Sequence, residues 1–266
     1  MKAHRTLLKQ HPGIVRRLSG ELLVSKSMIY KVLRCESKSQ RVAHALYLAA
    51  PKSLGVALIR AKAAGACQEA LDAISQLSDW DEFFAHPQSP SWAYWYARNV
   101  IGGRWPEGEP AIARNPETAC YYIYYFIRGR WPEAEPTIAT HPEWAYYYAR
   151  YFIEGRFPEA EPAIAANPKV AYRYARYIIR GRWPEAEPAI IKNPGLACGY
   201  ANHVLRGRWP EAEATIAQDP EWAFEYAWCV IRGRWPEAET TIVRDPIWAE
   251  EYNRLLTCMV RVGESR

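Results

Sequence analysis

Residues Gly129 to Glu154 read GRWPEAEPTIATHPEWAYYYARYFIE, one copy of a unit that restarts every 26 residues, at Gly103, Gly129, Gly155, Gly181, Gly207 and Gly233. A period of this length marks a tandem array, in which one unit cannot bury its own apolar face and must stack on its neighbours. Laid over one another, the copies share a Pro three places after the Gly (Pro106, Pro132, Pro158, Pro184, Pro210, Pro236) and then an Ile (Ile112, Ile138, Ile164, Ile190, Ile216, Ile242). A second Pro follows (Pro116, Pro142, Pro168, Pro194, Pro220, Pro246), with Ala three and Tyr six places beyond it, as at Ala145 and Tyr148.

Each shared Pro suits a first helical position, where its missing N–H would have had no intrahelical partner. Two helices per copy follow from this. The residue before the second Pro is Asn115, His141, Asn167, Asn193, Asp219 or Asp245, mostly side chains that accept hydrogen bonds from first-turn amides. The acids after the first Pro, such as Glu133 and Glu135, suit the positive end of a helix dipole. The repeated Gly reads as the left-handed stop of the second helix. Pro110, Pro136, Pro162 and Pro188 each remove a ladder bond inside the first helix, which predicts an irregular turn there.

On a wheel of 100° per residue, the second helix of Gly129–Glu154 places Ala145, Tyr148, Ala149 and Phe152 on one face, with Trp144 and Ile153 at its edges. That arc is too wide for an isolated surface helix. The opposite arc carries Glu143, Tyr147, Arg150 and Glu154, where the copies differ most. The expected fold is all-α, with an α-solenoid of short helical hairpins in which each unit packs on its neighbours. Residues 103–257 form the six-copy array and 258–266 a polar tail. Residues 79–102 read as a degenerate capping repeat, with Pro90, Trp92, Ala93 and Tyr96 in register.

The chain has 266 residues, 49% of them hydrophobic and 14% aromatic, enough for one small domain beside the array. No run of about 18 apolar residues suggests a membrane span. The opening MKAHRTLLKQHPG lacks the apolar core of a secretion signal, so the expected location is cytoplasmic. The six cysteines include no C-x-x-C pair. Cys120 and Cys198 stand where other copies have Tyr146, Tyr172 or Phe224, and so read as packed, reduced thiols. Ser, His and Asp form no nucleophile motif, and the recurring Glu pairs read as features of helix starts. The chain is therefore expected to be non-enzymatic, with no cofactor and no metal.

Charge is unevenly spread. Residues 1–62 hold 13 Lys or Arg against two acids, Glu21 and Glu36, whereas the rest holds 21 basic and 27 acidic side chains. The basic part, within a helical domain of residues 1–78, is the candidate for a polyanion. There, Leu18 to Leu33 read LSGELLVSKSMIYKVL, which resembles the helix-turn-helix of bacterial and phage DNA-binding regulators. The resemblance implies a first helix, a turn entering Val24-Ser25, and a recognition helix beginning after the Ser. Leu18, Leu22, Val24, Ile29 and Leu33 would pack, Ser25 would cap, and Lys26, Ser27, Tyr30, Lys31 and Arg34 would face the major groove of duplex DNA. The alternative is a pair of core helices with solvated lysines. The Ala-rich segments over 38–78 are equally suited to complete this domain, to pack under the first repeat, or to make a homodimer.

The repeat, over residues 90–257, resembles tandem WPEAE/NPEWAYYYA arrays of uncharacterised phage and bacterial proteins, a resemblance that implies no activity. Partner contact is expected on the exposed arc of the second helix: Tyr121, Tyr124 and Arg128, then Tyr147 and Arg150, then Arg173, Arg176 and Arg180. Tyr and Arg are the types that concentrate binding energy. Later copies carry Gly199, Asn202, Glu225 and Glu251 at these places, which points to the first three copies. Two functions of different class follow: a DNA-binding transcription regulator whose array docks a protein, or a protein interaction scaffold that never touches DNA. A third reading has the array stacking single-stranded RNA on the same Tyr and Arg side chains.

Overall fold

The computed structural model describes residues 54–263, all of it helix and connecting turn, with no strand among the described residues. No described helix is long and apolar enough to cross a membrane. The helix-turn-helix reading, with Ser25, Lys26, Ser27, Tyr30, Lys31 and Arg34, lies outside the described residues. The chain divides into two compact units, Met1–Ile127 and Arg128–Arg266, so the first copy of the repeat falls in one unit and the other five in the second.

In the first unit, helices Leu54–Ala63 and Gln68–Ser75 precede the capping repeat, which has both of its helices, Trp80–Ala85 and Ser89–Tyr96. Asp79 caps the first by accepting from the Glu82 amide at 2.9 Å, and Glu82 accepts from the amide of Ser78, one residue before the cap, at 2.7 Å. Arg114 of the next copy donates to the Phe84 carbonyl and to Ser89 Oγ. In the second unit, the second helices Pro142–Tyr148, Pro168–Tyr174, Pro194–Tyr200 and Pro220–Tyr226 pack in succession, and the last of them packs on Pro246–Gly263.

The array contains its own control for the interior prolines. Where Ala214 or Thr240 replaces that Pro, the first helix is continuous, Pro210–Ile216 and Pro236–Ile242. Where the Pro is present, the helix shortens to Glu109–Ile112, Glu135–Ile138 or Glu187–Ile190, or is split into a 3-10 turn Pro158–Ala160 and Glu161–Ala166. The missing N–H acts as expected.

The caps follow the side-chain chemistry. Asn115, Asn167 and Asn193 accept from the amides of Thr118, Val170 and Leu196 at 3.0, 3.2 and 2.9 Å. Asp219 and Asp245 accept from the amides of Glu221 and Ile247 at 3.1 and 2.9 Å. His141 makes no capping bond.

The helix stop differs from the expectation. The left-handed residue is the one before the repeated Gly: Arg128, Glu154, Arg180, Arg206 and Arg232 have φ between 56° and 59°. Only the capping repeat uses a glycine there, Gly102 at φ 70°. The next amide reaches back six residues, Gly155 to the Ala149 carbonyl at 3.2 Å, one residue further than the closing bond of a Schellman motif because the preceding turn is π-helical. Gly129, Gly181 and Gly207 have no left-handed φ, and a Cβ on them would meet nothing within 4 Å. Nothing in the structure explains why this position is Gly in every copy.

The role assigned to the second acid of each pair also changes. Glu135 does more than meet a helix dipole. It accepts two bonds from Arg130, from Nε and Nη2 at 2.9 Å each, and a third from Tyr148 Oη at 2.8 Å. Tyr148 Oη in turn accepts the backbone N–H of Trp131 at 2.7 Å. The same relay recurs in every copy, through Tyr122, Tyr174, Tyr200, Tyr226 and Tyr252. These tyrosines are essentially inaccessible. Burial pushes their hydroxyls up, that of Tyr200 to about 12, so each stays a neutral donor. The Arg156 bond holds the Glu161 carboxyl below the usual range despite partial burial.

Tyr200→Phe should cost about 1–3 kcal/mol in urea denaturation, because the buried Trp183 amide loses its acceptor. A depressed carboxyl stabilises the fold above the ordinary carboxylate range and loses that contribution as pH falls through the folded value. Arg156→Ala should therefore move the acid-unfolding midpoint to higher pH, as followed by circular dichroism. Supplying the missing cap with His141→Asn should stabilise by about 1 kcal/mol in the same denaturation assay, and Asn167→Ala should cost about as much.

Candidate interaction surface

The second helix does not stay α-helical to its end. After Tyr148, Tyr174, Tyr200 and Tyr226 it widens into a π-helical turn, Ala149–Ile153, Ala175–Ile179, Ala201–Leu205 and Ala227–Ile231. Closing i→i+5 bonds takes up an extra residue, so side chains beyond Tyr148 leave the register of a 100° wheel. Ala145, Tyr148 and Ala149 are buried as expected, but Tyr146 is buried too, and Phe152 is only half-buried. Tyr151 stands 62% exposed, more than the Tyr147 of the expected arc at 38%.

The second unit gathers four of the expected contact residues, Tyr147, Arg150, Arg173 and Arg176, into one lattice. The Arg173 guanidinium lies 4.3 Å above the Tyr146 ring and 5.5 Å from that of Tyr147. Arg150 donates to the Tyr177 carbonyl at 3.1 Å and sits 5.4 Å from its ring. Arg176 flanks the same ring at 5.1 Å and donates to Tyr172 Oη at 2.8 Å. Tyr147 stacks on Tyr151 at 6.2 Å, nearly parallel at 14°. Arg128 and Arg180 are elsewhere, exposed at the left-handed turns.

Tyr121 and Tyr124 belong to the first unit. There Tyr121 stacks on Tyr94 at 6.0 Å, and Tyr124 meets Tyr125 edge-on at 5.1 Å. Arg98 covers Tyr125 at 4.2 Å and donates to Tyr94 Oη at 3.1 Å. Each unit thus shows the same pairing of guanidinium and tyrosine on its own exposed face.

Sequence reasoning missed Tyr146, Tyr151, Tyr172 and Tyr177. A signal was present, since Tyr125, Tyr151 and Tyr177 occupy one repeat position in three successive copies, but a straight wheel did not bring it to the surface. Between the third and fourth copies Tyr172 Oη lies 3.0 Å from Nδ1 of His203. Gly195 makes room for Trp222, whose ring a Cβ would approach to 2.8 Å. Cys120 and Cys198 are buried thiols, each pushed up to about 12 by desolvation.

No protein-family model matches the chain, and neither does any curated protein or solved structure. The two resemblances drawn above therefore rest on their motifs alone.

Arg173→Ala should destabilise by about 0.5–2 kcal/mol, since its guanidinium is laid over two rings and partly desolvated. Tyr151→Ala should stay within about 0.5 kcal/mol of wild type, as a substitution on an exposed face. Urea denaturation of both variants separates a structural arginine from a surface tyrosine.

Proposed function

We propose that the chain is a DNA-binding regulatory protein with two separable surfaces. The repeat array docks a protein partner through the tyrosine and arginine lattice, and the basic residues 1–62 hold duplex DNA. The observation that carries the docking half is that Arg150, Arg173 and Arg176 are already fixed on Tyr146, Tyr147, Tyr172 and Tyr177. A surface ordered before contact loses little conformational freedom on binding. Tyr and Arg anchors are the side chains that carry interface energy. The helix-turn-helix resemblance and the 13 basic against two acidic side chains in residues 1–62 support the DNA half.

A scaffold without DNA contact is the second reading, favoured by the array alone, which needs no basic domain to present its lattice. Fluorescence anisotropy of the full chain on labelled duplex DNA discriminates the two. The regulator reading expects affinity to fall steeply with salt, and Lys26→Ala or Lys31→Ala to reduce the slope by about one per phosphate contact. Tyr151→Ala should leave that binding unchanged. Absence of salt-dependent binding at low ionic strength leaves the scaffold.

A further inference from the structure

A cavity of about 200 Å³ lies among the helices that precede the array, walled by Leu54, Ala57, Ile74, Phe83, Trp92 and further residues of the same four helices and of the turn between the first two. We propose that it is a binding site for a compact, uncharged aromatic molecule of one or two fused rings. This site lies in the first unit.

Four alanines create the space. Ala57 and Ala61 on Leu54–Ala63, and Ala66 and Ala70 at and beyond the following turn, line the cavity where longer side chains would fill it. An apolar cavity of about 150 Å³ is enough to take up benzene in an engineered protein, so this one accommodates an indole-sized ring system. No lining residue is charged. An ionised ligand would therefore lose its hydration without gaining a partner, which selects a neutral one.

The aromatic preference comes from the walls. Trp80, Phe83, Trp92, Trp95 and Tyr96 all contribute, and Trp80 already meets Phe83 edge-on, with centroids 5.2 Å apart and planes at 82°. Offset and edge-on ring pairs gain more than area burial alone provides. The exposed lining residues Cys67 and Ser91 mark the mouth.

The test is isothermal titration calorimetry of the full chain with indole, with indole-3-carboxylate as the charged analogue and cyclohexanol as the aliphatic one. Indole should bind saturably, and each analogue should bind about tenfold more weakly or worse. Ala57→Leu and Ala70→Leu fill the space from two helices, and each should weaken indole binding by about tenfold or more. Circular dichroism checks that each variant folds, and Ala70→Leu decides alone if the more buried Ala57 does not tolerate Leu. The proposal is overturned by absence of saturable indole binding. It is equally overturned by an analogue that binds as tightly as indole, or by folded filling variants that bind indole as tightly as wild type.

Discussion

The buried tyrosine hydroxyl of each copy is the constraint on which the rest depends. Tyr148 closes a gap between the two helices of its own copy: its oxygen accepts the Trp131 amide and its proton goes to Glu135. A phenol is the side chain that can do both from inside a core, because it carries a donor and an acceptor on one atom at the end of an apolar ring. Phe would fill the volume and leave a backbone donor unpaired. The carboxylate is in turn held by a bidentate Arg130, the geometry that best matches guanidinium to carboxylate. The arginine is more than half exposed at 57%, so the ion pair contributes less through Coulomb attraction than through aiming the acceptor at the phenol. The capping repeat shows the reverse case. Phe83 occupies the place of the relay glutamate and Ser78 that of its arginine, and ring packing among Trp80, Phe83, Phe84 and Trp105 takes over.

With the two helices fixed in this way, the second must end abruptly to deliver the chain to the next Trp-Pro. It ends on a π turn and a left-handed residue. Five of the six described left-handed positions after these turns carry Arg or Glu where Gly is usual, which costs about 1–2 kcal/mol each. The last copy supports this connection between strain and onward packing. There Met259 to Val262 stand where the other copies have Gly-Arg-Trp-Pro or Gly-Arg-Phe-Pro, and the second helix runs on as a long helix from Pro246 to Gly263.

The fold was largely legible because the repeat compares itself with itself. Proline spacing gave the helix starts, Asn and Asp gave the caps, and the copies with Ala214 and Thr240 show that the interior prolines do what their missing amide implies. Two features were not legible. The Arg, Glu and Tyr of the relay were constant in every copy, but constancy alone did not tell a helix-dipole charge from a three-way hydrogen bond, since the partners are 5 and 13 residues apart. The π turn leaves no composition signature, so the wheel placed Phe152 inside and passed over Tyr151. Of the candidate contact residues, Tyr147, Arg150, Arg173 and Arg176 lie together in the structure, against Tyr146, Tyr172 and Tyr177, which the wheel did not single out.

That last omission alters how the surface works. An arginine read from sequence is a flexible charge waiting for a partner, and holding it still on binding costs side-chain entropy. Here Arg150 and Arg176 approach the same Tyr177 ring from neighbouring copies, and Arg173 rests on a ring that is itself buried. Part of the ordering has been met by folding. Each guanidinium has five N–H donors, and Arg150 and Arg176 commit one apiece to the Tyr177 carbonyl and Tyr172 Oη, so donors remain for a carboxylate or carbonyl in the proposed docking. The same ring contacts tie the face to the packing of successive copies, because Arg150 of one copy bonds the Tyr177 backbone of the next. A substitution on this face therefore acts on repeat stacking as well as on the proposed docking, and an exposed tyrosine such as Tyr151 separates the two.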